Sequence, residues 1–196
     1  MRINAKKFLL GFLYVTIGLV ILRLKLAESE VKGLWDNGEK IKALCNIYGF
    51  CGEAISLSTV IMSLFNVWIW KWKWVQKLHK EPVLFSKYHG YLRSDYDGID
   101  RECDVDVKQT FLSISIRMKT KESTSRSLEA SIIERNNVPY LLYTYQNEPH
   151  ADIQSRSPIH YGTVMVEIND TQHLEGNYFT GRGTKGSMKL DAIKQS

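Results

Sequence analysis

The stretch from Ile47 to Trp70 reads IYGFCGEAISLSTVIMSLFNVWIW, and it decides the class of protein to which this chain belongs. It holds about 24 residues, apolar in the main, and a helix of that length crosses the hydrocarbon core of a bilayer. Glu53 is its single charged residue. The sequence therefore predicts a membrane protein in which this stretch is a transmembrane helix.

Small and polar side chains recur along this predicted helix at intervals of three and four residues, which places them on one stripe. The polar stripe consists of Gly49, Gly52, Ser56, Thr59, Ser63 and Asn66. Glu53 lies beside it, and an ionisable residue is costly at this depth unless it faces protein, water or headgroups. Two arrangements stay open: the stripe packs on Gly11 and Gly18 of an earlier apolar segment, or it assembles several chains around a polar seam.

The earlier apolar segment begins at Phe8, after a short basic N-terminus. It reaches Ala27, a length of about 20 residues, when Arg23 and Lys25 extend their charged groups toward the headgroups. No A-x-A-like cleavage site follows, which favours a retained signal anchor over a cleaved signal peptide. We therefore predict a transmembrane hairpin over residues 1–75, with helices at about 8–27 and 47–70.

The rest of the chain is expected to form a short loop, a linker and one soluble domain. The loop between the two helices contains Asn37-Gly38, a dipeptide that marks a tight turn. A juxtamembrane linker is predicted over residues 76–87 and a soluble domain over residues 88–196. These roughly 110 residues are enough for a single modest core.

Charge is distributed unevenly along the chain. Residues 1–87 hold 13 Lys and Arg against 6 Asp and Glu, whereas residues 88–196 hold 13 against 15. The basic excess thus flanks the membrane, and net charge gives no support to a soluble domain that binds a nucleic-acid polymer. Four lysines and a girdle of tryptophans follow the second helix between Trp68 and Lys80, so the positive-inside rule predicts that the N-terminus and the soluble domain are both cytoplasmic.

From Pro82 onward the pattern changes to short alternating runs separated by Gly, Asn, Asp and Pro, which is typical of an all-β domain. After a first strand over Tyr88–Arg93, the successive runs are Val105 and Val107; Leu112, Ile114, Ile116 and Met118; Leu128, Ala130 and Ile132; Leu141, Tyr143 and Tyr145; Gly162, Val164, Val166 and Ile168; Leu174, Gly176, Tyr178 and Thr180; and Met188, Leu190 and Ala192. The Leu128 run is ambiguous with a helix, and the shift of phase after Val107 predicts a β-bulge near Gln109. About eight antiparallel strands close into a small barrel that is filled by side chains or holds one small ligand.

Motifs of the common enzyme classes are missing from the sequence, including the Walker loop, GxGxxG, HExxH and GxSxG. The five histidines show no metal-ligand spacing. The cysteines Cys45, Cys51 and Cys103 form no CxxC pair and are interpreted as reduced thiols. We therefore predict a protein that is not an enzyme and carries neither a metal nor a cofactor.

Aromatic and hydroxyl side chains in the β domain form a candidate ligand site. Tyrosines stack on bases, an arginine binds phosphate, and hydroxyls bind sugar or phosphate oxygens. The candidates are Tyr143, Tyr145, Tyr178, Thr180, Arg182, Thr184, Ser123 and Ser125, and the run from Tyr178 to Thr184 shares one phase if its strand continues. A structural interpretation stays open as well, in which tyrosines fill the barrel and the Gly-Arg-Gly and Ser/Thr segments form turns.

Six short motifs in the soluble domain carry a family resemblance. They are Tyr88-His89-Gly90, Gln109-Thr110, Thr120-Lys121-Glu122-Ser123-Thr124-Ser125, Tyr143-x-Tyr145-x-Asn147-x-Pro149, His160-x-Gly162-Thr163 and Leu174-x-Gly176-x-Tyr178-x-Thr180-x-Arg182-x-Thr184-x-Gly186. Together with two membrane segments ahead of a strand-rich domain, they make the chain resemble the SMODS-associated two-transmembrane, β-strand-rich effector family. These proteins are membrane effectors of CBASS antiphage systems, and the resemblance covers essentially the whole chain.

The resemblance implies an eight-stranded barrel that binds a cyclic oligonucleotide, expected here to be a cyclic dinucleotide made by a partner CD-NTase. It further implies homo-oligomerisation upon binding and disruption of the bacterial inner membrane, whose lipids are the second partner. A different class of function stays open, namely a constitutive membrane-anchored module whose barrel docks a protein and binds no nucleotide. A lipocalin-like carrier is disfavoured by the polar strand faces.

Overall fold

The computed structural model describes residues 3–193 of the chain. Its internal contacts divide the protein into two compact units, Met1–Val75 and Gln76–Ser196. The first two residues of the predicted hairpin and the last three of the predicted barrel segment lie outside the described residues.

The first unit is helical. Its elements are α1 (Ile3–Leu26), α2 (Glu28–Asp36), α3 (Lys40–Val67) and a 3-10 turn at Ile69–Lys71, and a short helix α4 (Lys73–His79) runs on from it. Helices α1 and α3 are long and apolar enough to cross a membrane, as predicted. The predicted tight turn at Asn37-Gly38 separates α2 from α3, and Gly38 has a φ of +80°, a left-handed conformation that favours glycine.

The bounds of both long helices differ from the prediction. Helix α1 begins before Phe8, because the polar residues ahead of the apolar segment are compatible with a helix. Helix α3 begins at Lys40 rather than Ile47, since no Gly or Pro interrupts the chain after Gly38 until Gly49. It ends at Val67, ahead of Trp68-Ile69-Trp70, where β-branched and aromatic residues have lower helix propensity. The bounds of α3 therefore follow from Gly38 before the helix and from the residues after Val67, rather than from the apolar run alone.

Helix α3 packs on α1 through a face that differs from the polar stripe. The buried residues of α3 are Ala43, Phe50, Ala54, Ser58 and Met62, which recur at helical spacing. The Ser58 hydroxyl accepts a hydrogen bond from Thr16 Oγ1 of α1 at 2.9 Å, and the end of Met62 lies next to Gly11. Small side chains at this contact let the two helices approach closely.

The polar stripe does not pack on α1, so the first of the two arrangements predicted for it is wrong. Five of its residues are exposed and Asn66 is partly exposed, while a Cβ added at Gly49, Gly52 or Gly18 would meet nothing within 4 Å. The stripe hydroxyls donate to carbonyl groups four residues earlier, at 2.9 Å from Ser56, 2.8 Å from Thr59 and 2.7 Å from Ser63. Helix α1 instead occupies the neighbouring face, where the apolar ends of Phe50 and Met62 bury more surface.

The second unit is a closed antiparallel barrel of eight strands, which confirms the predicted fold class. The strands are β1 (Lys87–Ser94), β2 (Asp100–Gln109), β3 (Ile114–Thr120), β4 (Ser123–Arg135), β5 (Val138–Pro149), β6 (His160–Glu167), β7 (His173–Thr180) and β8 (Lys185–Ala192). Each strand pairs with the next one in the sequence, and pairing of β8 with β1 closes the barrel. Closure leaves no strand edge exposed.

Alternation along each strand places one set of side chains inside the barrel. Among the fully buried members of this core are Tyr88, Val164, Val166, Leu174 and Met188. The intervening residues face outward and are mostly polar or charged. The alternating runs predicted from the sequence therefore correspond to inward-facing residues, except for Leu112 and Leu128.

The predicted bulge near Gln109 is wrong, because the change of phase there reflects a turn between two strands. Strand β2 ends at Gln109, and Thr110 and Ser113 bond to each other across the turn, so Leu112 is not part of β3. The irregularity lies instead between Ser127 and Glu129 in β4. It turns Leu128 outward, where the side chain is 62% exposed, although the sequence pattern predicted an inward position.

Candidate ligand-binding site in the barrel

The inner face of the barrel is polar at one end and apolar at the other. The apolar end is formed by Tyr88, Leu174 and Leu190, and Leu84 of the preceding segment is buried against it. The opposite end, called here the polar end, is marked by inward-facing positions on six strands: Arg101, Ser125, Tyr145, Asn147, Gly162, Tyr178, Thr180 and Gly186. Polar groups concentrated at one mouth of an otherwise apolar barrel are typical of a site that binds and orients a small ligand.

Two glycines at the polar end make room for two tyrosine rings. A Cβ added at Gly162 would lie 2.4 Å from the ring and hydroxyl of Tyr145, and one added at Gly186 would lie 2.7 Å from the ring of Tyr178. Each glycine is the cross-strand neighbour of its tyrosine. The rings therefore lie against the barrel wall, and any larger residue at either glycine position would force them to move.

Tyr143 lies one inward position deeper than Tyr145, and the two ring centroids are 6.1 Å apart. Its ring is 3% exposed, and its hydroxyl oxygen is buried without a hydrogen-bond partner in the described part of the chain. A buried hydroxyl of this kind costs free energy until it finds a partner. The inner face thus presents an unused hydrogen-bonding group next to Tyr145.

Burial keeps the side chains of Tyr143, Tyr145 and Cys103 neutral. It raises the pKa of Tyr145 to about 12 and that of Cys103 to about 12, and it raises the pKa of Tyr143 as well. The positive charge of Arg182 opposes the rise at Tyr145 without reversing it. At neutral pH the tyrosines can therefore serve as hydrogen-bond donors and stacking surfaces, and they do not repel a phosphate.

Hydroxyl and amide groups surround the tyrosines. Ser125 Oγ donates to Asn147 Oδ1 at 2.8 Å, and both side chains are buried. The hydroxyl oxygens of Thr180 and Thr184 lie 2.6 Å apart. Ser123 lies at the start of β4 and contacts Thr120 across the hairpin turn, with a distance of 3.2 Å between their hydroxyl oxygens. All four predicted hydroxyl residues therefore line or border the polar end, and each has a partner that holds its orientation.

The run from Tyr178 to Thr184 does not share one phase, because its strand stops. Strand β7 ends at Thr180, and residues 181–184 form a turn in which Gly183 has a φ of +80°. Arg182 is consequently exposed in this turn, where its Nη1 donates to Ser157 Oγ at 3.1 Å. Burial lowers the pKa of His160, and the charge of Arg182 acts in the same direction. Arg182 thus remains close to the mouth of the barrel, at its rim rather than on its inner wall.

Arg101 is a second cation at the polar end, and it was not among the residues predicted from the sequence. It shares the inward phase of Cys103, Val105 and Val107 on β2 and pairs with Leu92 across the sheet. Two hydrogen bonds from its guanidinium to Asp97 raise its pKa and lower that of Asp97 to about 2. The signal in the sequence was the continuation of the Val105 and Val107 alternation back to position 101.

Glu53, one of the residues predicted for membrane assembly, forms an ion pair within its own chain. Glu53 Oε2 lies 3.1 Å from Nε of Arg23, and the Arg23 guanidinium also lies 4.2 Å above the ring of Phe50. Arg23 lies in the last turn of α1, whereas Glu53 lies near the middle of α3. Glu53 is therefore paired within one chain, which lowers the cost of its position in a membrane helix.

A closed eight-stranded barrel with a polar, tyrosine-lined mouth, following two candidate membrane helices, is an architecture that can hold one small ligand. The chain belongs to the Cap15 family, because the model of the Cap15 cyclic dinucleotide receptor domain matches residues 80–192. Residues 80–192 are thus a cyclic dinucleotide receptor domain. This finding confirms the family expected from the sequence motifs.

Two relatives agree with this assignment. The "CD-NTase-associated protein 15" of Staphylococcus schleiferi is 34% identical over 142 residues, which are 71% of this chain and 77% of the relative. The protein of the same name from Yersinia aleksiciae is 34% identical over 121 residues, which are 59% of this chain and 57% of that relative. The residues that touch a nucleotide in this chain stay a prediction.

Proposed function

We propose that this protein is a CBASS effector that binds a cyclic dinucleotide at the polar end of its barrel and then acts on the bacterial inner membrane. The observation that carries the proposal is the buried hydroxyl of Tyr143, which has no partner among the described residues and belongs to a ring that contacts Tyr145, inside a domain of a cyclic dinucleotide receptor family. A buried donor without a partner gains a full hydrogen bond when a ligand supplies the acceptor.

Each group at the polar end has a matching part in a cyclic dinucleotide. The ligand carries two bases and two phosphates, and the site offers the rings of Tyr145 and Tyr178 for stacking and the guanidinium groups of Arg101 and Arg182 for charge-assisted contacts. The Ser125–Asn147 pair and the Thr180–Thr184 pair offer hydrogen bonds to sugar hydroxyls. The domain thus recognises the ligand chemically, without a basic groove of the kind that a nucleic-acid polymer requires.

The membrane step of the proposal rests on the two spans. The polar stripe of α3 is turned away from α1, and its exposed residues from Gly49 to Ser63 can meet the same stripe of another chain. Nucleotide binding favours assembly to the extent that the assembled state binds the nucleotide more tightly. Self-association through this stripe and the barrel would then breach the bilayer and kill the infected cell.

The test is calorimetry of the full chain in detergent micelles against a panel of cyclic dinucleotides and cyclic trinucleotides. Saturable binding of at least one cyclic dinucleotide is expected, together with nucleotide-dependent release of dye from vesicles that contain the protein. Absence of heat for the whole panel would overturn the proposed ligand. Binding without dye release would restrict the protein to a receptor and overturn the membrane step.

A further inference from the structure

The outer wall of the barrel is divided into two halves of different character. On β8, β1, β2 and β3 the outward-facing positions are rich in charge, and several of these charges pair across strands. The pairs include Arg93 with Asp100 at 2.8 Å, His173 with Asp191 at 2.6 Å, and Lys189 with Glu175 of the adjoining strand β7 at 2.9 Å. A wall with this density of charge stays well hydrated.

Strands β5, β6 and β7 present a wall without charge between their ends. The outward residues there are Leu142, Thr144, Gln146, Tyr161, Thr163, Met165, Asn177 and Phe179, called here the neutral face. The strand register makes these residues contiguous in rows across the sheet. One row joins Thr144, Thr163 and Phe179, the next joins Leu142, Met165 and Asn177, and Gln146 pairs with Tyr161.

Large apolar side chains stand out from this face. Phe179 is 54% exposed and Tyr161 is 60% exposed, and the β-bulge in β4 turns Leu128 outward next to the β5 edge of the face, near Thr144. Charged residues surround the face with both signs, such as Arg126 paired with Glu148 at one end and Glu175 at the other. An uncharged centre that contains aromatic residues inside a charged rim is the usual composition of a protein–protein interface.

The charge pattern decides which partner fits. The centre of the neutral face holds no Lys or Arg, so it lacks the groups that an anionic lipid surface would attract. A contact between two identical surfaces brings each patch against itself, which is unfavourable when a patch carries charge of one sign. The neutral face avoids this penalty, and its rim of mixed sign can form complementary pairs in such a contact.

We propose that the neutral face is the surface through which two copies of this chain associate by their barrels. The inference rests on the proposed function for the assembly that it serves, and it assigns to β5–β7 a contact between chains that the membrane helices alone do not supply. Because the face is exposed in the protein without a ligand, the contact forms without nucleotide at sufficient protein concentration.

The proposal is tested by photo-crosslinking of the purified full chain in detergent micelles, in the absence of nucleotide. The photoreactive residue p-benzoylphenylalanine replaces Tyr161 on the neutral face or, as the matched control, Tyr91 on the charged half, which is 48% exposed. A dimer band is expected for the Tyr161 variant and none for the Tyr91 variant. No band at Tyr161, or equal bands at both positions, would overturn the proposal.

A charge test identifies the contact as one between identical faces. In the Tyr161 background, Phe179→Lys or Phe179→Glu alone is expected to reduce the dimer yield about tenfold, because a buried unpaired charge is costly. Mixing the two variants is expected to restore the yield, since opposite charges then meet across the contact. If the mixture stays as weak as the single variants, the faces do not meet each other and the inference is wrong.

Failure of this inference is separable from failure of the proposed function. Calorimetry with cyclic dinucleotides reports on the inner face of the barrel, whereas Phe179 lies on the outer wall. The Phe179 variants are therefore expected to bind nucleotide as the wild type does, and loss of nucleotide binding in them would place Phe179 within the fold or site rather than at an interface between chains.

Discussion

At the scale of single residues, the hydroxyl of Tyr143 distinguishes a ligand site from a filled core. A phenylalanine at this position would complete the barrel interior with less cost, because the hydroxyl has no partner there. We expect Tyr143→Phe to raise the free energy of unfolding of the ligand-free protein by about 1 kcal/mol and to weaken binding of a cyclic dinucleotide by about tenfold. Chemical denaturation and calorimetry measure the two effects.

The control for this prediction is Tyr140→Phe. The Tyr140 hydroxyl donates to Glu167 at 3.0 Å on the outer wall, so its loss is expected to lower the free energy of unfolding and to leave nucleotide binding unchanged. If Tyr143→Phe destabilised the ligand-free protein as Tyr140→Phe does, the Tyr143 hydroxyl would already have a partner within the protein. It would then not be a group that waits for a ligand.

Arg101 carries the second prediction at this scale. Arg101→Gln is expected to weaken cyclic dinucleotide binding by about 1.5 to 3 kcal/mol, the contribution of a hydrogen bond to a charged group. Arg93→Gln is the matched control, because Arg93 forms a similar pair with Asp100 on the outer wall. Calorimetry checks both variants, and equal losses would show that Arg101 acts only through the general charge of the barrel.

At the scale of elements, Gln109 fixes the segment that leads into the barrel. Its Oε1 accepts a hydrogen bond from the N–H of Leu84 at 2.8 Å, and its Nε2 donates to the carbonyl oxygen of Pro82 at 2.9 Å. We expect Gln109→Leu to lower the free energy of unfolding by about 1 to 3 kcal/mol, because two partly buried backbone groups lose their partner. Hydrogen exchange of the Leu84 amide measures the release directly.

Gln146→Leu is the control for the Gln109 variant. The amide of Gln146 lies on the outer wall, where its Nε2 is 3.5 Å from Glu148 and its loss removes only a weak contact. The Leu84 amide is expected to keep its protection in this variant. Faster exchange in both variants would trace the effect to general loosening of the barrel rather than to the Gln109 contacts.

The pair of Arg23 and Glu53 gives a second prediction for an element, the helical hairpin. Glu53→Leu is expected to abolish dye release from vesicles while nucleotide binding persists, because it leaves Arg23 unpaired in the membrane helices. The exchanged variant Arg23→Glu/Glu53→Arg restores the pair and is expected to recover most of the release. Release that stays absent in the exchanged variant would show that Glu53 acts on another chain instead.

At the scale of the whole molecule, the basic excess around the helices predicts the orientation of the barrel. A tag at the C-terminus is expected to stay protected from external protease in intact cells, because the lysines after the second span favour the cytoplasmic side. Permeabilised cells serve as the control in which the tag is cleaved. Digestion in intact cells would reverse the topology and separate the barrel from a cytoplasmic nucleotide.

Residues that obey a simple period were predictable from the sequence. The alternation of Leu141, Tyr143 and Tyr145 placed all three inside the barrel, and the small residues at Gly162 and Gly176 lie in the inward runs where they were expected. The position of Arg182 in a turn was not predictable in this way, because a Gly-Arg-Gly turn and a continuing strand give the same pattern of alternating residues. The outward position of Leu128 was not predictable either, because a bulge shifts the phase by one residue without any change in composition.

The sequence by itself determined that this chain has two apolar spans and an eight-stranded barrel, since span length and a two-residue alternation are local properties of the chain. Only the tertiary structure decided which face of α3 meets α1, that Arg101 pairs with Asp97 at the polar end, and that the hydroxyl of Tyr143 has no partner among the described residues. The physical reason is that strand register and barrel closure bring together residues far apart in the sequence, and no local pattern encodes their distances.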